Sequence, residues 1–156
     1  MPRLPQPAVA AESRPGMPQC TEVEVVVGSC VEYIDPLHTM AEEMARVAGL
    51  TEQERFHFAL AVREAATNAI VHGNGRDPAK TVTVTFALGA DALETRVVDQ
   101  GRGFDYDHAA DPRLPENRFK TSGRGLLLIR NFVDEVSYSH HPGGGTQIHL
   151  VKRLDP

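Results

Sequence analysis

Glu64, Asn68 and His72 recur at intervals of four in VREAATNAIVHGNG, so a helix carries all three along one side. That stripe borders an apolar face through Phe58 and Ala69, and polar groups at the edge of a core often line a cleft. A solvated helix face is the plainer account of Glu64 alone. Asparagine is a mediocre helix former, and Asn68 beside a carboxylate, ahead of His72 and Gly73, weighs toward the cleft. In VVDQGRGF, Asp99 ends an apolar strand and Gly101 and Gly103 follow at alternate positions. Glycines there tolerate positive φ and let a ligand approach the backbone. In TSGRGLLLIRN, Gly123 and Gly125 precede an apolar helical run, whose free N–H groups and partial positive charge suit a phosphate. The sequence G-K-[ST] is absent, so this is not a Walker loop, nor is it the dinucleotide fingerprint. In GGGTQIHL, Thr146 opens a final strand. Singly, these motifs also suit a tight turn, a glycine helix cap and a hairpin. All of them in this order make an accidental match improbable.

The elements that must position these residues are legible from periodicity. TEVEVVVG alternates as a strand. A helix is predicted from Pro36 to Ala48, with Asp35 as N-cap and Gly49 as stop. Thr51 and Glu54 form a capping box for a second helix from Glu52 to about His72, its core face carrying Phe58, Val62, Ala65 and Ala69. TVTVTFAL and ALETRVV read as a hairpin turning at Gly89 and Asp91. The stretch 99–125 reads as a long irregular loop, functional or disordered, followed by a helix over 126–132 and two strands flanking PGGG. Strands and helices are partly segregated, which predicts an α+β two-layer sandwich: a mixed sheet covered on one face by helices. Residues 1–20, with five prolines, predict a disordered tail, and 21–154 a single domain.

Composition narrows the function. The chain has 156 residues, 41% hydrophobic, with a net charge of -5, which suits one core and lacks the basic footprint of a nucleic-acid binder. Cys20 and Cys30 match neither a redox pair nor a zinc pair and read as free thiols in a reducing cytosol. No apolar run approaches membrane-spanning length, and the amino terminus does not resemble a signal peptide. His140 and His141 are neighbours on a strand and point to opposite faces, which argues against a metal site with His149.

In their order, these motifs resemble the Bergerat ATP-binding fold of histidine kinases and of gyrase-type and Hsp90-type ATPases. REAATNAIVHGN and SGRGLLLIRNFVDEV are most similar to the anti-sigma-factor serine kinases, over a span from Glu22 to Lys152. The resemblance implies ATP and Mg2+ as cofactors, with Asn68 as the metal ligand and Glu64 as general base toward a hydroxyl. It implies Asp99 as acceptor for the adenine amino group, with Thr146 completing base recognition. Gly101 and Gly103 would shape the adenine pocket, and Gly123 and Gly125 would close on the phosphates. His72 and Gly73 match the end of the same box, where a structural role serves as well. The chemistry agrees: Mg2+ needs few protein oxygens, and phosphoryl transfer needs positioning and charge neutralisation above all. Arg118 and Lys120, in the expected lid from Phe104 to Ser122, read as solvated charges. No dimerisation helix with a phosphoacceptor histidine precedes the domain, which argues against a histidine kinase. The implied protein is cytoplasmic and dimeric; it sequesters a sigma factor and phosphorylates an anti-anti-sigma antagonist on serine. The competing function is a nucleotide-dependent protein-binding switch without kinase chemistry; a stand-alone ATPase lacks the usual transducer domain.

Overall fold

A computed structural model describes residues 22–102 and 128–155. The expected tail and most of the long loop, with Gly103, Gly123, Gly125, Arg118 and Lys120, lie outside the described residues. Strand β1 (Glu22–Gly28) leads through a 3-10 turn (Val31–Tyr33) into helix α1 (Ile34–Val47). Helix α2 (Glu52–Thr67) continues into a π-helical turn (Asn68–Gly73). Strands β2 (Thr81–Leu88) and β3 (Ala92–Val98) form the hairpin. Helical residues 128–132, here α3, precede β4 (Glu135–His140) and β5 (Thr146–Arg153).

The sheet runs in the order β1-β2-β3-β5-β4. Every neighbouring pair is antiparallel, which corrects the expectation of a mixed sheet. The reason lies in the connections. Two helices join β1 to β2, so the chain re-enters at the end it left and runs back. After β3, the connection through α3 returns β4 in the direction of β3, but β5 inserts between the two and pairs antiparallel with both. Register follows the pleat: Val25 faces Val84, and Thr95 faces both Phe86 and Leu150.

One layer of side chains seals the sheet to the helices. Val82, Val84, Phe86, Leu93, Val97, Ile148 and Leu150 point inward and are buried. From α2, Phe58, Val62, Ala65 and Ala69 meet them, as the helical spacing predicts. Leu37, Ala41 and Ala45 of α1 lie at a spacing of four and are also buried. At about 25 cal/mol per Å2 of apolar surface, burying each large side chain contributes roughly 1.5–3 kcal/mol.

The capping box forms in full. The Thr51 hydroxyl accepts from Glu54 N–H at 3.2 Å, and Glu54 Oε2 accepts from Thr51 N–H at 2.8 Å. Helix α1 departs from expectation. It starts at Ile34, with Tyr33 at the N-cap position, because the preceding 3-10 turn already bends the chain into helical geometry. Asp35 therefore lies inside the first turn, where its carboxylate pairs with Arg63 of α2. Pro36 is still tolerated, since N–H groups of a first turn have no intrahelical acceptor.

Candidate functional site

The end of α2 decides what reaches the site. Beyond Thr67 the helix widens: Asn74 N–H donates to Ala69 O at 2.8 Å, a five-residue step, and Arg76 N–H donates to Ile70 O at 2.9 Å. Single π turns of this kind are common at functional sites. The wider turn ends the straight polar stripe. Glu64 is half-buried, Asn68 is buried at 8% exposure, and His72 swings out to solvent. Neither end of the Asn68 amide bonds to a described residue, and its Nδ2 is wholly enclosed. A buried amide without protein partners is expensive unless a ligand completes it. One turn earlier, the Glu64 carboxylate has no side-chain partner among the described residues.

Asp99 sits at the end of β3 and is 3% exposed. Its backbone N–H donates to Thr146 O at 3.0 Å, which continues the β3–β5 ladder by one rung. Its Oδ1 accepts two backbone N–H groups, from Gly101 at 2.9 Å and Thr146 at 3.0 Å. Oδ2 receives no donor among the described residues. The carboxylate is thus fixed through one oxygen, and the other, beside Gly73, has no donor among the described residues.

Three glycines make room for this arrangement. A Cβ on Gly73 would stand 2.2 Å from Asp99 Oδ2. A Cβ on Gly101 would stand 1.9 Å from Gly73 O. Gly145 has φ +88, and its Cβ would stand 2.0 Å from Asp99 O. The turn after β3, the π turn and the glycine turn before β5 therefore touch backbone to backbone around one carboxylate.

A buried polar network braces the same corner. The amide of Asn74, 3% exposed, donates to Ser29 Oγ at 2.8 Å and to Thr81 O at 3.0 Å, and its Oδ1 accepts Gln100 N–H at 2.7 Å. Ser29 Oγ donates to Lys80 O at 2.8 Å, and Gln100 Oε1 accepts Thr81 N–H at 2.8 Å.

The structure thus brings together Asp99, Gly101 and Thr146 of the sequence-predicted site. Glu64 lies in the last turn of α2, and Asn68 opens the π turn that delivers Gly73 to Asp99. Gly101 acts here by its close approach to Gly73. Sequence reasoning missed Asn74 and Gly145 and left Gly73 undecided. The only signals were the Gly-Asn pair closing the helix and the third glycine of the run before Thr146. Two of the other histidines are engaged elsewhere: His149 Nε2 lies 2.8 Å from Glu94 Oε2, and His141 Nδ1 accepts Gly143 N–H at 3.1 Å. Among the described residues, no three His, Cys, Asp or Glu side chains stand together as a metal cluster. Cys30 is free and half-buried.

Comparison with known proteins agrees with this geometry. The family model of the histidine kinase-like ATPase domain matches residues 29–152. An anti-sigma F factor of Oceanobacillus iheyensis is 33% identical over 132 residues, which cover 83% of this chain and 81% of that protein. The serine-protein kinase RsbW of Bacillus subtilis is 31% identical over 127 residues, covering 78% and 79%. An anti-sigma F factor of Shouchella clausii is 34% identical over 132 residues, covering 83% and 81%. With the family model spanning most of the chain and these relatives matching about four fifths of it, the chain belongs to the anti-sigma-factor serine kinase family, built on a histidine kinase-like ATPase domain.

Proposed function

We propose that this protein is an anti-sigma factor that is also an ATP-dependent protein serine kinase. It sequesters a sigma factor and phosphorylates an anti-anti-sigma antagonist on a serine. The observation that carries the nucleotide reading is Asp99: a buried carboxylate held at Oδ1 by two backbone donors, with Oδ2 packed beside Gly73 and without a donor among the described residues. An exocyclic amine such as that of adenine would complete it. Thr146, whose N–H holds that carboxylate, borders the same spot.

Further back along the helix, Asn68 is buried at 8% exposure and its amide oxygen has no donor among the described residues. That oxygen fits Mg2+, which is satisfied by one protein oxygen when phosphates and water supply the rest. Bound there, Mg2+ would neutralise charge on the phosphates. Glu64, one turn back and half-exposed, would accept the proton of the attacking serine hydroxyl. Gly103, Gly123 and Gly125 lie outside the described residues; on sequence alone, Gly103 belongs to the adenine turn, and Gly123 and Gly125 to the phosphate end. The acting form is a cytoplasmic homodimer. No helix of the described residues is long and apolar enough to cross a membrane.

The test is Glu64→Gln. It keeps the size of the side chain and removes the base. Nucleotide and sigma-factor binding should be unchanged, while phosphate transfer to the cognate antagonist falls by roughly 10²–10⁴-fold. Undiminished transfer would remove Glu64 from the chemistry. Absence of transfer by wild type, with an antagonist shown to bind, would reduce the protein to a nucleotide-dependent binding switch.

A further inference from the structure

Asn74 is not a residue that touches the proposed nucleotide, yet its position is unusual. It follows the π turn directly, is almost fully buried, and uses both ends of its amide. Its Oδ1 takes the N–H of Gln100, the residue between Asp99 and Gly101. Gly101 N–H is taken by Asp99 Oδ1. Both backbone donors that follow Asp99 are therefore consumed inside the protein.

That has a chemical meaning for base selection. Adenine presents an amine, a donor, where hypoxanthine and guanine present a carbonyl, an acceptor. A carboxylate rejects the carbonyl only if no N–H beside it can turn in and satisfy that oxygen. A turn holding a free N–H next to Asp99 would accept either base. Gln100 N–H is the nearest such donor in sequence, and it donates to the Asn74 amide oxygen at 2.7 Å. The other end of the same amide is anchored on Ser29 Oγ and Thr81 O, at the exit of β1 and the start of β2. The bond to Thr81 O ties the lock to β2 and holds the amide even without the Ser29 bond.

We propose that Asn74 is a specificity-determining positioning residue: by sequestering the Gln100 N–H and fixing the turn after Asp99, it enforces adenine over 6-oxopurines. The inference rests on the nucleotide-site reading of Asp99 given above.

The experiment measures dissociation constants of ADP and IDP, which differ in the 6-amino against the 6-oxo group, by calorimetry on the full chain. Wild type should prefer ADP. Asn74→Ala frees the Gln100 N–H, and the IDP-to-ADP ratio of dissociation constants should fall about tenfold or more, chiefly through better IDP binding. Asn74→Asp keeps an acceptor for Gln100 N–H and should hold most of the ratio. Ser29→Ala weakens the same network at its far end, so it should lower the melting temperature and leave the ratio intact. That control separates selectivity from stability, because a merely structural Asn74 moves melting temperature in all three variants and the ratio in none. If Asn74→Ala does not fold, Asn74→Ser, too short to reach Gln100 N–H, is measured in its place with the same expected fall. A folded Asn74→Ala or Asn74→Ser with the wild-type ratio overturns the proposal. So does a Ser29→Ala ratio that falls as far. Wild type that binds neither nucleotide overturns the nucleotide site itself, and this inference with it; wild type that binds both equally overturns the inference alone.

Discussion

Gly73→Ala sets two effects of opposite sign against each other. Gly73 closes a helical turn and its φ is not positive, so backbone conformation alone permits alanine. Helix propensity then predicts a gain of about 1 kcal/mol. The packing predicts the reverse. The added methyl would lie 2.2 Å from Asp99 Oδ2 and 2.5 Å from its Cγ. The carboxylate cannot yield freely, because two backbone N–H groups hold Oδ1 at 2.9 and 3.0 Å. Overpacking of this kind costs about 1–3 kcal/mol. Net stability should therefore fall by no more than about 2 kcal/mol, the overpacking cost less the propensity gain. Affinity should suffer more. Pushing Oδ2 off its position forfeits a hydrogen bond to a charged group, about 1.5–3 kcal/mol, or roughly 10–150-fold at 1.4 kcal/mol per decade. The assay pairs thermal melting with calorimetric titration of ADP, and Gly49→Ala serves as the control. Gly49 has φ +83 and nothing within 4 Å of an added Cβ, so that variant should lose stability and keep its affinity. A Gly73→Ala protein that melts no lower than wild type and binds ADP equally well would refute the close approach of Gly73 to Asp99.

The other expectations are simpler. Asn68→Ala should weaken Mg-ADP binding far more than metal-free ADP binding; an equal fall in both titrations would assign Asn68 to the helix and not to the metal. Thr51→Ala should cost about 1 kcal/mol in denaturant unfolding through loss of the cap. The Thr51 N–H holds the Glu54 carboxyl below its ordinary value of 4.5. Because the folded value is the lower one, that contribution is fully present above pH 4.5 and vanishes as pH falls through the folded value. The stability advantage of wild type over Glu54→Gln should shrink over that acid range, and an advantage that persists at lower pH would rule the carboxylate out. Thr95 has its hydroxyl fully buried without a partner among the described residues. Thr95→Val should therefore raise stability by about 1 kcal/mol, read from the urea midpoint.

Local chemistry was legible in the sequence. The capping box at Thr51 and Glu54 formed as read, because both partners sit within one turn. The strands followed from alternation of valine with threonine and glutamate. Asp99, Gly101 and Thr146 could be named because order along the chain preserved them. Partnerships across long separations were not legible. Asn74 reaches Ser29, 45 residues back, and Gln100, 26 residues ahead, and nothing in its neighbours announces either. The antiparallel sheet escaped notice for a related reason: periodicity reports that β5 is a strand but not that it slots between β3 and β4. The π turn is indistinguishable from ordinary helix in the sequence, since 3.6-residue spacing describes Asn68 adequately and fails only at His72 and Gly73.

The position of β5 also governs when the pocket can exist. Asp99 depends on Thr146 for one of its two carboxylate donors and on Gly145 for its backbone clearance, a closure of 47 residues. During synthesis, everything from β1 to β4 can emerge while β3 still shows an unpaired edge and β4 has no neighbour. Only the strand that arrives after them joins the two and clamps the carboxylate. Closures of such length are slow steps in folding. On the proposed assignment of Asp99 to the base, capture of nucleotide is then a late event in the life of the chain, and a protein arrested before β5 would have its hairpin and helices without that carboxylate in place.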